Sequence, residues 1–66
     1  MQSETIQRYL NQKVKIFLNH NNKQLVFTAT ILYINNEKVE FIDKYNATFN
    51  FPISEVIAIE PLGGIA

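Results

Sequence analysis

The chain of 66 residues contains no cysteine. That absence removes disulfide staples, thiolate metal sites and thiol chemistry together. No long apolar run is present either, so nothing reads as a transmembrane helix and no membrane partner is expected. Glycine is nearly missing: the two copies, Gly63 and Gly64, sit at the end of the chain, and no glycine-rich loop is available to cradle a phosphate. Charge of one sign is lacking as well, since six basic and six acidic residues give a formal net charge of zero. No basic excess announces a polyanionic partner. The start, Met1-Gln2-Ser3-Glu4, lacks the basic region and apolar stretch of a secretory signal, so a cytoplasmic location is expected.

The catalytic inventory is equally thin. An enzyme needs a nucleophile, a base or a metal that converge in space. Here there are one histidine, His20, and two serines, Ser3 and Ser54. Ser3 reads as a helix cap, Ser54 as a turn residue bonding its own backbone, and His20 as an exposed residue in a hairpin loop. Glu37, Glu40, Asp43, Glu55 and Glu60 repeat no metal-loop spacing and read as solvated strand faces. Asn46-Ala47-Thr48 matches the glycosylation sequon, a chance match without a secretory signal. No enzymatic activity, no cofactor and no metal site are expected.

What is present is a globular composition, 47% hydrophobic and 18% charged. A domain this small usually needs a dense core, covalent staples or an oligomeric partner, and staples are unavailable. Ser3 and Glu4 start a helical pattern in which Ile6, Tyr9 and Leu10 form one apolar stripe, predicting a short amphipathic helix over about 3–11. From Lys13 the period changes to two. Val14, Ile16 and Leu18 alternate with Lys15, Phe17 and Asn19, and strands are predicted at about 13–19, 24–34, 38–43, 48–51 and 56–60. His20-Asn21-Asn22-Lys23 and Lys44-Tyr45-Asn46 read as turns because asparagine tolerates the left-handed conformation, and Asn35-Asn36 as a hairpin signal of the same kind as Asn-Gly. Pro52 halts the fourth strand, and Pro52 to Glu55 reads as one tight or 3₁₀ turn. The expectation is a mainly β fold: one domain over 1–62, a short N-terminal helix and a five-stranded bent antiparallel small barrel, with a flexible tail at 63–66.

The strands hold more apolar residues than one inner face requires. With Val14, Ile16, Leu25, Phe27, Ala29, Ile31, Val39, Phe41, Phe49, Phe51, Val56 and Ala58 facing inward, Phe17, Val26, Leu32, Ile34, Ile42, Ile57 and Ile59 face outward. The helix covers some of these, and the rest suggest a protein interface. The alternative is that a bent second strand switches faces midway. The last two strands carry none of the lysines that blunt an edge, so pairing between subunits is the simplest protection. Phe17, Phe49, Phe51, Ile57 and Ile59 are the interface candidates.

A short helix, a five-stranded bent barrel and a tight turn between strands four and five together resemble the Sm-like family, in particular its bacterial Hfq branch. The most specific local match is Phe51-Pro52-Ile53-Ser54-Glu55-Val56-Ile57-Ala58-Ile59-Glu60-Pro61, similar in pattern to the Hfq stretch Tyr-Lys-His-Ala-Ile-Ser-Thr followed by an apolar strand and a proline. Tyr9-Leu10-Asn11 and Val14-Lys15-Ile16-Phe17-Leu18-Asn19 are also similar. The resemblance implies a homo-oligomeric ring, hexameric or heptameric, built by pairing strand four of one subunit with strand five of the next. It further implies binding of single-stranded RNA and a role in post-transcriptional regulation. The Lys-His that Hfq carries before this turn is here Asn50-Phe51 or Phe51-Pro52, depending on the alignment, and the Arg-Gly of other Sm-like proteins is absent. If RNA is bound, Asn35, Asn36 and Asn50 are the candidates for base-edge bonds, Lys38 for a phosphate, and Gln7, Arg8 and Lys13 for a helix-side face. The rival expectation is an SH3-like small barrel serving as a protein-interaction or assembly module without RNA.

Overall fold

A computed structural model describes residues 2–62; the tail expected at 63–66 lies outside them. The elements are α1 (Ser3–Gln7), β1 (Lys13–His20), β2 (Lys23–Ile34), β3 (Lys38–Asp43), β4 (Thr48–Pro52), a 3₁₀ turn (Ile53–Glu55) and β5 (Val56–Pro61). All five strands join one antiparallel sheet in the order β4-β3-β2-β1-β5. The protein is therefore mainly β, with a barrel-like sheet that stays open. β4 and β5 are its two edges.

The hairpins owe their geometry to asparagine. Four non-glycine residues have positive φ: Asn11 (65°), Asn21 (53°), Asn22 (63°) and Asn46 (69°). Asparagine thus supplies every left-handed non-glycine position among the described residues, in a chain whose two glycines both lie beyond them. Asn21 and Asn22 form a two-residue turn between paired His20 and Lys23. Positive φ at both central positions is the type I′ turn, whose twist matches the flanking strands. The β2–β3 turn works differently, correcting the expectation that Asn35-Asn36 acts in the same way. Neither residue has positive φ; instead Asn35 Oδ1 accepts hydrogen bonds from the backbone N–H of Glu37 (2.7 Å) and Lys38 (2.8 Å). The side chain, not a left-handed backbone, closes this turn.

Among the described residues ten form the buried core: Ile6, Val14, Ile16, Leu18, Ala29, Ile31, Val39, Phe41, Ile53 and Val56. Each of these side chains larger than Ala29 contributes about 1.5–3 kcal/mol relative to an exposed one. Phe41, fully buried, lies 5.2 Å from Phe27, 5.8 Å from Phe49 and 5.9 Å from Phe51, ring centre to ring centre. Phe27, Phe49 and Phe51 are half-buried and pack against the core from its rim.

Two bulges change the inward and outward assignments. In β5, Phe17 pairs with Ala58 but Leu18 with Val56, so Ile57 is an extra residue that reverses the alternation. Ala58 therefore shares the outer face with Phe17, against expectation, and Ile59 turns inward beside Ile16 and packs on the core. In β2 the register shifts between Ile31 and Tyr33, and Ile34, expected outside, packs on the core opposite Val39. The switch of faces in the second strand thus occurs, late in the strand.

The helix is shorter than its expected span of 3–11. Beyond Gln7 the backbone tightens into i→i+3 bonds, Tyr9 N–H to Ile6 (2.9 Å) and Leu10 N–H to Gln7 (3.1 Å), and Asn11 turns the chain toward β1. Asn11 N–H then donates to the Ile31 carbonyl at 2.7 Å, tying the linker to the bulged part of β2. Ser3 is not the cap. Gln2 occupies that position without a side-chain bond, and the Ser3 hydroxyl donates to Asn36 Oδ1 at 3.1 Å. Ile6 is fully buried among the inward residues, so the helix covers the inner face of the sheet rather than the outer residues it was expected to shield.

Candidate functional site

Four of the proposed RNA contacts gather around the β2–β3 hairpin. Lys38 stands opposite Pro52, and Glu40 opposite Asn50. Lys38 and Asn50 are therefore diagonal neighbours on one face of the β3–β4 pair, within reach of one extended ligand. Both are exposed. Asn35 is not available in the same way, because its side-chain carbonyl holds the turn and its amide donates to Tyr33 Oη at 3.4 Å. Asn36 accepts from Ser3, which fastens this hairpin to the start of α1.

The helix-side candidates Gln7, Arg8 and Lys13 are all exposed. The Arg8 carbonyl accepts a bond from Gln12 Nε2 at 3.2 Å, which holds the α1–β1 linker. Lys13 begins β1 opposite Thr30, and Lys15, on the same face, stands opposite Thr28 and Glu60. Cations here are spread over the linker and the outer face of β1, with an acid across from one of them.

The interface candidates divide by environment. Phe17 is half-buried on the outer face, between Val26 and Ala58 in the neighbouring strands. Ile57, displaced by the bulge, is 51% exposed on the β5 edge. Phe49 and Phe51 belong to edge strand β4 but turn toward the aromatic cluster, and Ile59 packs on the core. At the far end of the cluster His20 is not a free loop residue. It closes β1, its Nδ1–H donates to Glu55 Oε1 at 2.8 Å, and its ring meets Phe51 edge-on with centres 5.4 Å apart. The contact ties the first hairpin to the 3₁₀ turn that joins the two edge strands.

One group escaped the sequence reading. Lys44 and Tyr45, which the sequence marks only as turn residues, form an exposed aromatic and cation pair: Tyr45 is 78% exposed and Lys44 Nζ lies 5.3 Å from its ring centre. They border an open pocket of about 260 Å³ lined also by Val26, Phe27, Thr28 and Asp43. The adjacency of a tyrosine and a lysine in a turn was the available signal; the nearness of β2 was not legible.

Among the described residues no group of three or more His, Cys, Asp or Glu side chains is placed to hold a metal ion, and no helix is long and apolar enough to cross a membrane. No protein-family model, curated protein or solved structure matches this chain.

Proposed function

We propose that this chain is the subunit of an Sm-like, Hfq-type homo-oligomeric ring, hexameric or heptameric, that binds single-stranded RNA in the cytoplasm without catalysis. The observation that carries the reading is the pair of open edges. β4 and β5 lie at opposite sides of one antiparallel sheet and are joined only through the 3₁₀ turn Ile53–Glu55. Head-to-tail pairing of one edge with the other edge of the next copy is a heterologous contact, which generates a closed ring when the rotation between copies closes. Pairing would satisfy the outward backbone groups of both strands and cover Ile57. Symmetry would then repeat Lys38 and Asn50 around the assembly, so a neutral subunit still presents several cations and amides to one extended strand. The rival, a small barrel acting as a protein-assembly module, draws on the zero net charge.

Native mass measurement combined with titration of fluorescent U-rich and A-rich oligonucleotides at two salt concentrations tests the proposal. The expected result is a hexamer or heptamer whose affinity falls with salt, with a slope of about −0.7 in log K per phosphate contacted on a single strand. A monomer at all concentrations refutes the ring. A ring with no salt-sensitive binding refutes the RNA role and favours the assembly module.

A further inference from the structure

The turn between β3 and β4 is rigid, yet it leaves a large aromatic in water. Asp43 Oδ1 accepts from the backbone N–H of Tyr45 and of Ala47, both at 2.9 Å. Asp43 N–H donates to the Ala47 carbonyl (2.9 Å), Asn46 N–H to the Asp43 carbonyl (3.1 Å), and Lys44 N–H reaches across to the Thr28 carbonyl of β2 (3.1 Å). Asn46, at φ 69°, completes the reversal. Five hydrogen bonds therefore fix the backbone that carries Tyr45, and 78% of that residue remains exposed. A backbone already fixed before a ligand arrives lowers the ordering cost of binding to the side chain it carries.

The surroundings limit the class of ligand. The pocket volume of about 260 Å³ falls just below the roughly 300–1,000 Å³ usual for drug-sized ligands, which suits a single flat ring system. Its apolar lining comes from Val26, 51% exposed on the outer face of β2, and from Phe27 on the inner face, whose ring lies 4.8 Å from that of Phe49. The backbone N–H groups at the turn are already satisfied, which leaves the Lys44 ammonium and the Thr28 and Tyr45 hydroxyls as the side-chain donors of the pocket without a hydrogen-bond partner. An exposed aromatic ring, with the Lys44 ammonium 5.3 Å from its centre and an exposed apolar side chain nearby, supplies the elements of base stacking with a contact to the adjoining phosphate. A protein partner would need about 1,000 Å² of complementary surface, roughly 20–30 residues a side, whereas six residues line this pocket.

We infer that the Val26–Thr28 segment of β2 and the Asp43–Tyr45 turn form a subsite for one base of a single-stranded nucleic acid, with the base stacked on Tyr45 and Lys44 on the neighbouring phosphate. The inference rests on the RNA-binding reading above but assigns a contact to residues outside the β2–β3 hairpin and the helix side.

The test compares wild-type protein with Tyr45→Ala and Lys44→Ala, titrated with the same U-rich and A-rich oligonucleotides at two salt concentrations. The chain has no tryptophan and three tyrosines, so the difference in tyrosine quenching between wild type and Tyr45→Ala isolates stacking on Tyr45. Both residues are exposed, and far-UV circular dichroism and native mass of the variants are expected to match wild type. Tyr45→Ala is expected to weaken binding by about 5- to 150-fold, the worth of one stacked base, and to abolish most of the quenching. Lys44→Ala is expected to reduce the salt slope by about 0.7. Amide NMR shifts on adding oligonucleotide are expected at Thr28, Lys44 and Tyr45. Wild-type binding that both variants retain in full, with shifts confined to the β2–β3 hairpin, overturns the subsite and leaves the RNA role standing. Absence of binding by the wild type at low salt overturns both.

Discussion

Replacing Asn22 tests the physical account of this fold at one backbone angle. Asn22 is the second central residue of the β1–β2 turn, at φ 63°, the position that glycine fills in the strongest two-residue hairpin signal, Asn-Gly. The left-handed region costs an ordinary L-residue about 1–2 kcal/mol, and asparagine bears only part of that cost because it tolerates the region. In Asn22→Ala the tolerance is lost, and destabilisation by about 1 kcal/mol is expected. In Asn22→Gly the steric cost vanishes but the unfolded chain gains freedom worth about 0.4–1 kcal/mol, so the two effects largely cancel and the net change stays within about 1 kcal/mol of zero. Against alanine, glycine escapes the full cost of about 1–2 kcal/mol less that entropy, so the glycine variant should exceed the alanine variant by roughly 0.8 kcal/mol and at most about 1.6 kcal/mol. At roughly 4–8 °C per kcal/mol for a domain of this size, the central figure separates their melting temperatures by about 3–6 °C. Thermal denaturation followed by circular dichroism, at one fixed protein concentration because self-association makes the midpoint concentration-dependent, measures it. Asn19 supplies a control of opposite sign. It lies in β1 outside the positive-φ set, where glycine is expected to be less stable than alanine by about 0.5–1 kcal/mol. An alanine variant at position 22 that melts at or above the glycine variant refutes the left-handed turn.

Phe41→Ala removes the centre of the aromatic cluster and is expected to cost about 3–5 kcal/mol; with total stability of roughly 3–10 kcal/mol for a chain this size, loss of most NMR dispersion is the expected readout, and a native-like spectrum with an unchanged urea midpoint counts against the assigned core. Asn35→Ala breaks two turn hydrogen bonds worth about 0.5–1.5 kcal/mol each and should lower the urea midpoint without changing oligonucleotide affinity per folded subunit; a selective loss of affinity would return Asn35 to the binding surface. Ile57→Lys places a charge on the β5 edge and is expected to shift native mass toward monomer with little loss of secondary structure, an unchanged oligomer ruling out that edge as the contact. His20→Ala removes a partly exposed pair with Glu55 and is expected to cost no more than about 1 kcal/mol from the ion pair itself, with any larger fall in a urea melt assigned by comparison with His20→Phe, which keeps the contact to Phe51.

Periodicity in the sequence determined the elements and their order. Alternation along Val14, Ile16 and Leu18 requires a strand with one inner face, and the asparagine-rich breaks require short connections between antiparallel neighbours, so a mainly β fold with a small barrel-like sheet is legible in the sequence. The 3₁₀ turn after Pro52 was legible too, because proline ends a ladder by lacking an N–H. Near-absence of glycine, with eight asparagines at hand, pointed to asparagine as the residue of the turns; only the structure distinguished Asn21 and Asn22, which act through positive φ, from Asn35, which acts through its side chain. Alternation carries no mark of a bulge, since one inserted residue reverses every later face without changing composition. Ile59 and Ala58 therefore exchanged sides, and Ile34 entered the core. Contacts distant in sequence were equally hidden: Ser3 with Asn36, His20 with Glu55, and the Lys44–Tyr45 turn with Val26, Phe27 and Thr28. Local sequence decides what each segment becomes, and the tertiary fold decides which surfaces its side chains share.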